Sequence, residues 1–202
     1  MYTLYFLPGA CSLAVHVVLR ELGQDVMLIH RDAASHYRSL NPTGQVPTLV
    51  SDGLVLREGA AIILYLLDKH ANTLLPKDRV LRRKALENLT FANASMHPAY
   101  GRLFFLNRHR FEDASRQAFQ EACAREINGY WQVVEHLLAS QPFLGGEQHG
   151  VADIMLTVYA RWGGHFDVDI RLGERVQQMV DRVTALPSFQ QALQAEARMQ
   201  PR

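Results

Sequence analysis

Tyr2-Thr3-Leu4-Tyr5-Phe6-Leu7-Pro8-Gly9-Ala10-Cys11-Ser12-Leu13-Ala14-Val15-His16-Val17-Val18-Leu19 opens the chain, after the initial methionine, with a complete strand–turn–helix statement. Residues 2–7 are aromatic and aliphatic and read as a strand. Pro8-Gly9 is a break. Leu13 to Leu19 has the apolar density of a buried helix, which stops near Gly23. Cys11 thus falls at a helix start, close to backbone N–H groups that have no partner within the helix. Those groups and the helix dipole favour an anion, so a thiolate at Cys11, or a ligand thiolate beside it, is expected to be stabilised there. The alternative is a small apolar side chain packed under the helix.

Reading outward, Asp25 to His30 is a second strand, and Asp32 to Leu40 is polar and long enough for one or two helical turns. Asn41-Pro42-Thr43-Gly44 is a turn. Val46-Pro47-Thr48-Leu49-Val50 is a third strand, with its proline at the beginning where a missing N–H is tolerated. Ser51-Asp52-Gly53 turns the chain back into Leu54-Val55-Leu56. Glu58 to His70 is a helix. Asn72 to Asp78 breaks the pattern, and beyond it everything reads as helix: 79–109, bent at Pro98; 113–139; a strongly apolar stretch from Val151 to about Gly163; then 173–185 and 188–197. An α/β module followed by an all-α module gives two domains, 1–76 and 77–202.

The 202 residues carry a net charge of +1, so no strong field points to nucleic acid or to an anionic membrane. No apolar run is long enough for a membrane span, on the order of 18 residues. The start lacks a basic segment followed by an apolar core, so no signal peptide is expected. Two cysteines, Cys11 and Cys123, make no disulfide framework and suit a reducing cytoplasm.

Four features coincide: βαβ then ββα in the first domain, Cys11 at the first helix start, Gly44-Gln45-Val46-Pro47 before the third strand, and Arg57-Glu58-Gly59-Ala60 at the next helix start. Together they resemble the glutathione transferases. Pro8 to Ala14, with Asn41 to Pro47, is similar to the bacterial beta class in particular, and the likeness runs on through Gly150-Val151-Ala152-Asp153. The resemblance implies a thioredoxin-like domain with a mixed four-stranded sheet, an all-helical second domain, a homodimer, and a cytoplasmic detoxifying activity. It implies glutathione as co-substrate, with no permanently bound cofactor and no metal. Within it the Val46–Pro47 bond is cis, and the Val46 backbone pairs with the extended tripeptide as an added strand does. Gly59 N–H and Glu58 would hold the γ-glutamyl end. His97 would face Cys11 across the domain cleft, donate a hydrogen bond to a bound thiolate and, when protonated, lower its pKa. Tyr5 and Ser12 are further hydroxyls near the thiol. Tyr100, Phe104, Arg161, Trp162 and His165 would line the second-substrate side, for an aromatic or amphipathic electrophile. Asp153 would cap the central helix, with Gly150 in place of the usual hydroxyl residue.

The pattern also departs from the family. Ala33-Ala34-Ser35-His36-Tyr37-Arg38 replaces a longer, lysine-bearing segment that meets the glycyl carboxylate. Thr90 and Ala94, with Asn93 one position off, stand where an asparagine and a hydroxyl residue cross the dimer in the family. Three functions therefore compete. One is a transferase that delivers glutathione thiolate to an electrophile. The second is a monothiol disulfide oxidoreductase in which Cys11 attacks, there being no Cys-x-x-Cys. The third is a non-catalytic binding or regulatory protein of the same fold.

Overall fold

The structure is a computed structural model, of which residues 1–199 are described. The chain forms two compact units, the first built from Met1–Leu75 together with the segment from Thr184 onward, the second from Pro76–Val183.

In the first unit, β1 (Tyr2–Phe6) leads through the Pro8-Gly9 turn into α1 (Ser12–Glu21), and β2 (Val26–His30) follows. A 3-10 turn at Arg31–Ala33 and a single-turn helix α2 (Tyr37–Leu40) connect to β3 (Thr48–Ser51) and β4 (Leu54–Arg57). α3 (Gly59–Lys69) completes the βαβ–ββα order. The sheet runs β2-β1-β3-β4, with β1 and β2 parallel and the other neighbours antiparallel. Register places Thr48 between Tyr5 on β1 and Arg57 on β4. Leu4, Phe6, Leu13, Leu49, Ile62 and Leu66 are fully buried and form the core that fixes the sheet against α1 and α3.

The last helix among the described residues, α9 (Pro187–Arg198), belongs to this unit. This corrects the expected partition, which assigned everything after residue 76 to the helical domain; residues 200–202 of that call lie outside the described residues. The cause is packing: α9 buries Phe189 and Ala192 and lies along α1. Polar bonds lock the pair. His16 on α1 and Glu196 on α9, both buried, meet at 3.2 Å, and Ser188 donates to the Glu21 carboxylate. Arg20 Nε donates to His16 Nε2, which leaves Nδ1–H to donate to Glu196.

The second unit contains α4 (Arg79–Phe91), α5 (His97–Arg108), α6 (Asp113–Leu137), α7 (Val151–Ala160) and most of α8 (Glu174–Thr184). The expected long helix over 79–109 is interrupted, and the interruption lies before Pro98: a π-helical turn occupies Ala92–Met96, and the proline sits in the first turn of α5. A missing N–H costs little in a first turn. α7 is buried along nearly its whole length. Asp153 anchors its start, accepting the N–H groups of Gly150 at 2.7 Å, Leu144 at 2.8 Å and Gly145 at 3.2 Å. Glycine has no side chain to return the bond, so this cap is one-sided and the carboxylate also ties down the preceding loop. Among the described residues, no helix is long and apolar enough to cross a membrane.

Candidate active site

The turn before α1 is built so that Cys11 emerges at its end. Gly9 has φ +68°, a left-handed conformation that glycine adopts without strain. Its N–H is held by Glu196 Oε2 at 3.1 Å. Ser12 closes the turn from the other side: its hydroxyl accepts the Leu7 N–H at 3.3 Å and donates to the Leu7 carbonyl at 3.2 Å. Ser12 is buried and spent on Leu7, so the hydroxyl expected to assist the thiol serves the backbone instead.

Cys11 is half-buried and its Sγ–H donates to the Val46 carbonyl at 3.2 Å. Burial pushes this thiol up to about 12; the N–H groups of Cys11 and Ser12 pull the other way, and the charge of Glu58 adds to the rise. Of the two expected forms, a thiolate at Cys11 itself is therefore disfavoured in the protein as it stands, and a ligand thiolate beside it is the form that remains. The helix-start N–H groups act in the anticipated direction, but desolvation outweighs them. Cys11 is a thiol at neutral pH, able to donate.

Val46 precedes Pro47 through a cis peptide bond. Its carbonyl takes the Cys11 thiol, and among the described residues nothing accepts its N–H. Pro47 is buried. Across from it lies Gly59, where an added Cβ would stand 3.7 Å from Pro47 Cγ, an ordinary contact. Glu58, exposed at the start of α3, has φ 67° and ψ 116°. A non-glycine residue held there costs on the order of 1–3 kcal/mol, and such strain clusters at ligand sites. Cys11, Val46, Pro47, Glu58 and Gly59 thus converge within the first unit. Tyr5 is buried in the sheet with its ring centroid 5.3 Å from that of Tyr37, a packing position beneath this group.

The helical unit holds the other candidates. His97 follows the π turn, stacks on Tyr159 with centroids 5.2 Å apart and planes 13° from parallel, and touches Trp162. Burial lowers its pKa below the ordinary histidine value, so the imidazole is neutral at pH 7. The aromatic packing that orients the ring also removes water from it, which leaves the hydrogen-bonding role expected of His97 and disfavours the charged one. Tyr100 is fully buried, its hydroxyl accepting the Trp131 indole N–H at 3.0 Å and pushed up to about 12 by that burial. Trp162 is also buried, against Tyr159, while Phe104 is half-buried with its ring 4.8 Å from Phe166. Arg161 and His165 are exposed. Of the five side chains expected along the second-substrate side, two are thus helical core and three reach solvent in some degree. Among the described residues no three His, Cys, Asp or Glu side chains group as metal ligands.

Two features escaped the reading of the sequence. Glu196, far from Cys11 along the chain, holds Gly9 two residues before it. Tyr37 lies in a polar segment and is 4% exposed, and its hydroxyl donates to the carbonyl of Gln45, adjacent to Val46.

Comparison with known proteins identifies the family and the fold. The family described as Glutathione S-transferase, N-terminal domain, matches residues 4–74, and Glutathione S-transferase, C-terminal domain, matches residues 87–187. The glutathione S-transferase GST-4.5 of Xanthomonas campestris pv. campestris is 36% identical over 199 residues, 96% of this chain and 98% of the relative. Among solved structures, a glutathione S-transferase from Xylella fastidiosa superposes with a TM-score of 0.87 at 29% identity, covering 98% of this chain and 99% of that one. A sphingomonad glutathione S-transferase complexed with glutathione gives 0.83 at 29% identity, covering 96% and 98%.

Proposed function

The chain belongs to the glutathione S-transferase family and is a glutathione transferase; from that premise we propose that the tripeptide docks along the Val46 backbone and presents its sulfur to Cys11. The observation that carries the reading is the pairing of Cys11 Sγ with the Val46 carbonyl, beside a Val46 N–H that has no internal acceptor. An extended peptide satisfies such a backbone segment as an added strand does, exchanging its own N–H and C=O. Glu58 then pairs with the γ-glutamyl ammonium, and the Gly59 N–H at the start of α3 binds the adjacent carboxylate.

The chemistry follows from the protonation states. Cys11 keeps its proton at neutral pH; when a tripeptide N–H takes over the Val46 carbonyl, that proton turns to the glutathione sulfur and favours its thiolate. That thiolate attacks a soft electrophile: the C–S bond forms, the leaving group departs with its electron pair, and the thiol proton goes to solvent. On the family resemblance His97, neutral and held by Tyr159, serves the same sulfur as a hydrogen-bonding group. Phe104, Arg161 and His165 suit a small electrophile with an aromatic or amphipathic body, and the setting is a beta-class homodimer that detoxifies such compounds in the bacterial cytoplasm. A protonated Cys11 is a poor attacking group, which weighs against a disulfide oxidoreductase as the main activity.

The test is a calorimetric titration with glutathione alongside conjugation of an aryl chloride. Saturable millimolar binding with conjugate formation is expected. Reduction of glutathionylated protein without conjugation overturns the transferase mechanism, and no saturable binding leaves only a structural relative of the family.

A further inference from the structure

Two residues of the polar connection between β2 and β3 hold the backbone on which the proposed docking depends. Around Tyr37, the residues Ser35, His36, Arg38 and Ser39 are all exposed; Tyr37 alone is buried, its ring against Tyr5. Its hydroxyl donates to the Gln45 carbonyl and meets Thr48 Oγ1 at 2.8 Å. Asn41, also buried, sends its Nδ2 to the same Gln45 carbonyl at 2.8 Å and to Thr48 Oγ1 at 3.3 Å. The proton directions close consistently. Tyr37 has one hydroxyl proton and gives it to Gln45, so Thr48 donates to Tyr37 and Asn41 donates to Thr48. Every member of this buried ring is satisfied, the condition under which such networks rigidify rather than destabilise.

The ring is anchored at Gln45 and at Thr48, one residue before Val46 and two residues after it. Both lone pairs of the Gln45 carbonyl are taken from inside, so that peptide plane has no freedom to rotate. Asn41 is itself fixed: its Oδ1 accepts the Thr43 N–H at 3.3 Å and the Thr43 hydroxyl at 2.9 Å. Val46 is thus suspended between two immobilised points while its own N–H stays unclaimed.

We infer that Tyr37 and Asn41 are positioning residues for glutathione, acting through Gln45 and Thr48 to present the Val46 backbone without touching the tripeptide. The inference rests on the docking mode proposed above. It makes the hydroxyl of Tyr37 a determinant of glutathione affinity and leaves the electrophile and the chemical step unaffected.

Full-length wild type, Tyr37→Phe, Thr48→Val and Thr48→Ser are compared by glutathione titration, by KM and kcat for both substrates, and by hydrogen exchange of the Val46 amide. Wild type is expected to bind glutathione and to protect that amide when saturated. Tyr37→Phe is expected to raise KM for glutathione about threefold to tenfold, the scale of one buried hydrogen bond. Its kcat stays within about twofold and its KM for the electrophile is unchanged, the signature of lost ground-state binding. Thr48→Val, of equal shape, breaks the ring from its other side and keeps the test valid should Tyr37→Phe not fold; Thr48→Ser restores the hydroxyl and the affinity. Unchanged glutathione KM in Thr48→Val or in folded Tyr37→Phe, whatever the loss in melting temperature, overturns the inference. Absence of glutathione binding, or of Val46 protection, in wild type itself overturns the docking mode and this inference with it, and it is seen before any substitution is made.

Discussion

Cys11 and Val46 are joined by a thiol-to-carbonyl hydrogen bond of 3.2 Å, with the sulfur held in its protonated form. Burial raises the folded thiol to about 12 from the ordinary 9.0. The neutral thiol is therefore the form the fold prefers. Its contribution to stability is fully present below the unfolded pKa and is lost as pH rises from there through the folded value. Alkylation of Cys11 in the ligand-free protein is expected to be much slower than that of free cysteine at pH 8. The rate is expected to climb without a plateau up to pH 10. A plateau near neutrality, read by mass spectrometry of the Cys11 peptide, would show a thiolate and remove the donor role.

Glu58 holds a left-handed backbone conformation that glycine adopts freely. Glu58→Gly is expected to leave the fold as stable as wild type or more so, by up to about 1 kcal/mol in urea denaturation. The same change removes the carboxylate proposed for the γ-glutamyl ammonium, so KM for glutathione is expected to rise at least about tenfold. Stability and affinity moving in opposite directions is the diagnostic outcome; a variant that loses both assigns Glu58 to the fold alone.

His97 is kept neutral by the aromatic packing around it. A histidine with a depressed folded pKa supports stability above its unfolded value of 6.5, and that support is lost as pH falls through the folded value. NMR titration of the His97 ring is expected to give a midpoint below that of an exposed histidine. His97→Phe retains the stacking and is expected to keep the fold while lowering kcat; an unchanged kcat ends the proposal that this ring serves the sulfur.

Glu196 takes the Gly9 N–H with one oxygen and His16 with the other, in a site 2% exposed. Glu196→Ala leaves the buried His16 Nδ1–H without its acceptor and unties the exposed Gly9 turn, and is expected to cost about 2 kcal/mol, since a buried unsatisfied donor costs about 1–3 kcal/mol. Glu196→Gln keeps an acceptor and is expected to cost about half of that. Chemical denaturation of the two variants, each with its m-value, measures the difference.

Local pattern carried the elements well where the chemistry is local. The apolar run of Leu13 to Leu19, the Pro8-Gly9 break and the Ser51-Asp52-Gly53 turn each specify one conformation, and the structure has them there. What could not be read depends on what a residue faces. The apolar face of α9 says that something covers it, without saying that α1 does. Pro98 signals a disturbed helix, and the disturbance lies one turn earlier, over Ala92–Met96, where the ring crowds the Ala94 carbonyl and leaves it without its usual donor; that it takes the form of a π turn has no mark in the sequence. Helix-start N–H groups argue for a thiolate at Cys11, and only the packed surroundings reveal how much water is excluded. Tyr37 is hidden in a stretch whose polarity speaks for solvent, so its inward hydroxyl had no signature beyond the Asn41-Pro42-Thr43-Gly44 turn beside it.

The bond from Glu196 to Gly9 ties the turn that bears Cys11 to a helix translated only after the whole intervening helical segment. During synthesis the N-terminal strands leave the ribosome long before their last partner exists. The nascent sheet must therefore wait, with the α1 surface uncovered, while the whole intervening helical segment is translated and released. A chain cut before Pro187 lacks α9 and presents that bare apolar face to chaperones and proteases, so such a truncation strikes at a strand–helix unit far from the cut.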